Sequence, residues 1–232
     1  MTSVEQIVAT DIAAYCAAMR KTIVSYDPRL AQATERFLQE LEHGDYLTAQ
    51  LVVTGYYLCG GTDTEMIVIA ARALQMTHVY ARLSSRGTQP QYAALHGMHA
   101  AHILLANLTA APESLRIKVL SITNRALLLY MRGSTQRKQG GAMAVLPEAL
   151  LDCFATELTL NPLHVGMVLA DADCAATDAI TPFAMCAGKA RLTVADSELS
   201  DRYWRQAEAA LGECRLWKFE ALQPICNLLK HS

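Results

Sequence analysis

Apolar residues recur at helical spacing along nearly the whole chain. Ile7, Ile12, Tyr15, Cys16, Met19 and Ile23 fall on one face of a 3.6-residue period and predict a first helix. Asp27-Pro28 interrupts it, and Pro28 suits the first turn of the next helix, where its missing N–H is not needed. That second helix runs through Leu30, Ala33, Phe37, Leu38 and Leu41, with Gly44 as the expected C-cap. A third apolar segment ends at Gly60-Gly61. Thr62-Asp63-Thr64-Glu65 then reads as a capping box, with Thr62 at N-cap and Glu65 at N3, opening a long helix from about Asp63 to Ala81.

Pro90, Pro112, Pro147 and Pro162 all stand near expected helix starts. The polar run from Gly133 to Gly141, closed by two glycines, is expected to be a loop. A polar stretch from Ser197 to Asp201 precedes the final helices, which carry Trp204, Leu211, Trp217, Phe219, Leu222 and Leu228. The expected fold class is all-α, a single domain over residues 1–232.

Composition narrows the picture. The chain has 232 residues, 52% of them hydrophobic, enough to bury a sizeable core. Ala, Leu and Met, good helix formers, dominate the apolar set. A net charge of −2 with interspersed signs leaves no electrostatic footprint for nucleic acid or anionic lipid. The seven cysteines are odd in number and contain no CxxC pair, which argues against a disulfide framework or a zinc cage. Buried thiols in a reducing cytoplasm are the expectation. The N-terminus is not basic, and no apolar run reaches membrane-spanning length.

Candidate chemistry is sparse. His96, His99 and His102 repeat every three residues, so two of them could ligate one metal or all could be interface histidines. Arg132, Arg137 and Lys138 border the expected loop, either solvated or facing an acidic partner. No HExxH, nucleotide-binding glycine fingerprint or G-x-S-x-G elbow is present.

Three stretches carry a likeness: Ala71-Arg72-Ala73-Leu74-Gln75-Met76-Thr77-His78, Pro162-Leu163-x-x-Gly166-x-x-Leu169-Ala170, and the run from Gly188 to Leu199. Their order resembles the trans-isoprenyl (polyprenyl) diphosphate synthases, over most of the chain from about Arg29 onward. In that family the last run reads G-x-A-F-Q-x-x-D-D-x-x-D. Gly188 and Ala190 match, Ala195 and Leu199 replace the outer aspartates, and Asp196 is the remnant of the motif. Gln75 replaces the glutamate of A-x-x-L-E-x-x-H, and Thr156 falls in a K-T pair whose lysine is Ala155. The first D-D-x-x-D is missing between Leu83 and Arg86-Gly87. The G-K-x-x-R-P-like element corresponds to Gly44–Ala49, with Asp45, Thr48 and Ala49 in place of lysine, arginine and proline. Putting Asp45 where a diphosphate binds reverses an interaction worth about 4 kcal/mol at ~4 Å and an effective dielectric near ~20.

The resemblance implies a shortened antiparallel bundle of about ten helices around a central apolar cavity, pairing through central helices. In the family, two opposed carboxylate triplets hold magnesium, which Asp196 and Glu198 cannot replace. It therefore implies no catalytic residue, no metal ligand set and no cofactor in this chain, with Mg2+ held by a catalytic partner. His78, Tyr80 and Arg86 are carried over as substrate-binding positions; for His78 and Tyr80 ordinary packing is the competing reading. The expected function is a non-catalytic subunit of a heterodimeric polyprenyl diphosphate synthase in isoprenoid biosynthesis. The plant small-subunit CxxxC signature is missing. The alternative is a homodimeric pseudoenzyme that binds a prenyl or other lipid chain in the residual cavity. Leu104→Arg is expected to abolish pairing.

Overall fold

The computed structural model describes residues 3–25, 27–85, 91–139, 147–214 and 219–231, which contain eleven α-helices and no strand. The first, α1 (Val4–Ile23), opens on a capping box between Ser3 and Gln6 and buries Val8, Ile12, Cys16 and Ile23. Next, α2 (Pro28–Glu42) carries Pro28 in its first turn, behind an Asp27 carboxylate that accepts from Arg29 N–H. The turn after it departs from expectation. Gly44 does not take the left-handed conformation; Tyr46 does, at φ 50°, immediately before α3 (Leu47–Leu58). Left-handed backbone on a residue with a Cβ costs roughly 1–2 kcal/mol. Here the Tyr46 hydroxyl, donating to the Glu42 carbonyl, holds the turn in place.

Helix α3 ends in a Schellman motif. Gly60, at φ 81°, donates to Tyr57 O and Gly61 donates to Tyr56 O. The cap of α4 (Thr64–Ser85) is Asp63, not Thr62: its carboxylate accepts from Met66 N–H at 2.9 Å. Both residue types make competent caps, and the carboxylate adjoining the helix takes the role.

After α5 (Gln91–Ala106), α6 (Glu113–Gln139) runs on through residues 133–139, where a loop was expected. One internal glycine costs only about 1 kcal/mol, no proline follows, and an established helix gains a hydrogen bond for each residue added. Gly140 and Gly141 lie outside the described residues, as does Pro90.

The segments α7 (Glu148–Ala155), a π-helical turn (Thr156–Leu160) and α8 (Asn161–Leu169) form one continuous rod, so the eleven α-helices make ten rods. Pro162 stands in the first turn of α8, as expected, though the rod runs on through that point without a break. Its ring cannot donate, and the preceding wide turn, in which Asn161 N–H reaches Thr156 O, loosens the ladder there. Three helices follow: α9 (Cys174–Leu192), α10 (Ser197–Glu213) and α11 (Phe219–His231). The polar stretch from Ser197 to Asp201, expected to precede the final helices, is the first turn of α10.

Glycines let α3 and α8 meet backbone to backbone. A Cβ on Gly166 would sit 2.0 Å from Val52 O, and one on Gly55 would sit 2.5 Å from Leu163 O. One apolar core, including Ile12, Phe37, Val52, Leu74, Val119 and Val165, ties α1 through α4 to α6 and α8. A second, including Leu51, Leu163, Phe183, Leu211 and Ile225, ties α3 and α8 to the last three helices. Leu104 packs against the first core, while its neighbour Ile103 is 46% exposed. Leu104→Arg therefore tests the fold; the outward apolar position is Ile103. Among the described residues no helix is long and apolar enough to cross a membrane.

Candidate functional site

A cavity of about 180 Å³ opens where four parts of the chain converge. Asp45, Leu47 and Thr48 come from the entry to α3, and His78 from the middle of α4. Leu158 and Thr159 come from the π-helical turn; Gly188, Arg191 and Leu192 from the last turns of α9. The α3 entrance is fixed from below. Gln75 is fully buried on α4, and its Oε1 accepts from Ala49 N–H at 3.2 Å, satisfying a donor that the first turn leaves open. A neutral amide at position 75 performs this task without placing a charge in the core. On the opposite wall Gly188 keeps the space open, since a Cβ there would lie 2.9 Å from both Thr159 Oγ1 and Ala155 Cβ.

The cavity wall carries both signs of charge, with Asp45 exposed and His78 and Arg191 partly buried. Burial pushes the His78 imidazole down to about 4, against the opposing pull of Asp45 and with the help of Arg82 and Arg191. The ring edge reaches the cavity while Nδ1 is closed off and has no hydrogen-bond partner. Burial likewise lowers the Arg191 guanidinium, and Asp45 opposes it. Thr159 is fully buried with its hydroxyl unpaired. Two residues back along the rod, Glu157 is 3% exposed, and burial alone raises its carboxyl to about 8.

The structure separates the residues singled out from sequence. His78 lines the cavity, whereas Tyr80, two residues on and so on another face of α4, packs beside Ala81, Leu127, Leu150 and Phe154. Arg86 lies outside the described residues, and the side chains of His96, Arg132, Arg137 and Lys138 do too. The His102 ring is engaged by Met98 O and Asn124 Oδ1, both at 2.8 Å, while His99 is exposed. Asp196 is exposed and serves as N-cap of α10, its Oδ1 accepting from Leu199 N–H at 3.1 Å. Magnesium asks for several oxygen ligands in near-octahedral array. Among the described residues no three His, Cys, Asp or Glu side chains are grouped to hold a metal ion, and Asp196 is turned to its own helix. Sequence reasoning missed Arg191, Thr159 and Glu157. For Arg191 a signal existed, because its spacing of three from Gly188 puts both on one face of α9.

Among the described residues, ten helical rods with a cleft between the α3 entrance, α4 and α9 make an all-α fold, the one seen in prenyl diphosphate synthases. The geranyl diphosphate synthase small subunit from Antirrhinum majus superposes with a TM-score of 0.71 at 16% identity, covering 99% of this chain and 100% of that one. A geranyltransferase from Legionella pneumophila gives 0.70 at 15% identity, over 99% and 98% of the two chains. A geranylgeranyl pyrophosphate synthase gives 0.64 at 14% identity, and the match spans 84% of this chain but only 64% of that longer one. At such identities the likeness is one of fold. No family model matches the chain. No curated protein matches it in sequence.

Proposed function

We propose that this chain is a degenerate trans-prenyl diphosphate synthase acting as a non-catalytic subunit, paired with a longer homologue that supplies both aspartate motifs and the magnesium. The fate of Asp196 carries this reading. Where the family resemblance puts a metal-binding carboxylate, the side chain is spent on capping α10. Asp45 adds to it, since an acidic group on the cavity wall opposes an anionic substrate. Solved proteins of the same fold include a heterotetrameric geranyl pyrophosphate synthase from mint and the Antirrhinum majus small subunit. This chain keeps outward apolar side chains for pairing: Ile103 on α5 and Leu128 on α6, 46% and 71% exposed, on helices that pack together.

The test is recovery of the tagged chain from its native cytosol, with co-eluting proteins identified by mass and the complex assayed with isopentenyl diphosphate. A longer homologue with both aspartate motifs should co-elute, and Ile103→Arg or Leu128→Arg should release it while helical content is kept. Recovery of the chain only with itself, carrying apolar ligand, would replace this reading with the lipid-binding pseudoenzyme.

A further inference from the structure

The cavity between α3, α4, the π-helical turn and α9 is lined by neutral polar groups left without partners. Threonines in these helices ordinarily turn their hydroxyls back to the carbonyl four residues earlier, as Thr54, Thr77, Thr123 and Thr156 do. The Thr159 hydroxyl makes no such bond. It is buried and unpaired, and it points at Gly188 across the space, where a Cβ would lie 2.9 Å from it. His78 lines the same space with its Nδ1 unpaired, and burial keeps its ring neutral. Thr48, itself buried, adds a second hydroxyl. Buried polar groups are nearly always satisfied, so orphans around one space mark a place for a hydrogen-bonding occupant.

The charged residues on the wall do not ask for a charged one. Asp45 is exposed, so water solvates it, and Arg191 already has an interaction within the chain. An ion entering the cavity would give up hydration and meet no free counter-charge on its walls. The groups that lack partners are a hydroxyl and a neutral imidazole. An alcohol hydroxyl matches both, since it donates and accepts at once, whereas a carboxylate only accepts and an ammonium only donates. Water would meet the same groups but would leave Leu47, Leu158 and Leu192 facing it. A hydrocarbon body covers them. A cavity of about 150 Å³ holds one benzene, and this one measures about 180 Å³.

We propose that this cavity binds a compact uncharged alcohol of roughly five or six carbons, its hydroxyl among Thr48, His78 and Thr159 and its hydrocarbon against Leu47, Leu158 and Leu192. The proposal does not depend on the subunit reading, because every group in it belongs to this chain.

Methyl NMR of the full chain, titrated with n-pentanol, pentanoate, pentylammonium and glycerol, tests it. The pentanol should shift the methyls of Leu158 and Leu192 saturably. Pentanoate and pentylammonium have the same chain but a charge, and glycerol has no apolar body; each should bind about tenfold more weakly or worse. Gly188→Ala, whose added methyl crowds Thr159 and Ala155, should abolish binding. If that variant fails to fold by circular dichroism, Thr159→Val, which keeps the shape, should still weaken pentanol binding by roughly threefold or more. The proposal is overturned if the two leucine methyls show no saturable shift, if glycerol or either charged analogue binds as tightly as pentanol, or if affinity survives Thr159→Val.

Discussion

Two glutamates on the rod formed by α7, the π-helical turn and α8 meet opposite surroundings. Glu148 gives one oxygen to Lys189 Nζ at 2.5 Å and accepts on the other from the Tyr203 hydroxyl at 2.5 Å. Those hydrogen bonds, Lys189 first, hold its carboxyl below the usual range. Lys189 also reaches Asp152 at 2.6 Å; burial works against its charge, but these contacts outweigh it and raise the ammonium to about 12. Among the described residues Glu157 has no ion-pair partner, and its Oε2 is buried and unpaired. The same residue type thus fastens α7 to α9 and α10 at one end of the rod and, in the π-helical turn at its middle, is held toward its protonated form by burial. The difference lies in the availability of a counter-charge, and it separates a side of the molecule built for stability from one that stores polar groups unused.

The largest effect that tests this contrast is on pH. Glu157 binds its proton more tightly folded than unfolded, so its contribution is complete below about pH 4.5 and is lost as pH rises toward about 8. His78 is the mirror case: its contribution is complete above about pH 6.5 and is lost as pH falls toward about 4. Where those windows overlap the two slopes oppose each other. Chemical denaturation at a series of pH values should show a plateau from about pH 4.5 to 6.5 and a fall on either side, on the order of a few kcal/mol by pH 8. Glu157→Gln should remove the alkaline fall and, with nothing left to offset His78, let the acid fall begin at about pH 6.5. An unchanged alkaline fall in that variant would mean another group carries it.

Lys189→Met comes next. It leaves Glu148 and Asp152 facing each other without their cation, but both are about half exposed, so solvent moderates the loss to about 1–2 kcal/mol. Added salt should shrink that difference, and a midpoint equal to that of the parent chain at low salt would count against the clamp. Thr159→Val is the smallest and has the other sign. Exchanging an unpaired buried hydroxyl for a methyl of the same shape should leave stability within about 0.5 kcal/mol or raise it slightly. A loss above about 1.5 kcal/mol would mean that Thr159 has a partner after all.

How much of this was legible in the sequence depended on whether the signal was local. Amphipathic spacing and proline placement marked α1 and α2, because one face of each must be buried and the chain pattern records it. Caps were legible as a type but shifted by a residue, as with Asp63 in place of Thr62, because neighbouring residues competed for one job. The run from Gly133 was misread because the glycine-and-polar composition of a loop is also tolerated at the end of a long helix. Of the site, His78 and Asp45 were visible through resemblance. Thr159 and Glu157 were not, since the fact that matters about each is the absence of a partner, which only the packed helices decide. Asp196 kept its identity and lost its role, a change only the backbone reveals.

The π-helical turn has a consequence for how the protein can vary. A turn with hydrogen bonds spanning five residues holds one residue more than an α-turn while advancing the helix by nearly the same angle, so it stores that residue without disturbing the phase of the two flanks. Removing a single residue from Thr156–Leu160 and restoring ordinary winding would leave α7 facing as it does, and with α8 pinned to α3 at Gly166, Glu148 and Asp152 would still meet Lys189. A deletion inside regular α-winding has no such slack and turns one flank by about 100° against the other. The π-helical turn is therefore the place on this rod where a change in length is tolerated, while α7 and α8 on either side are held to theirs.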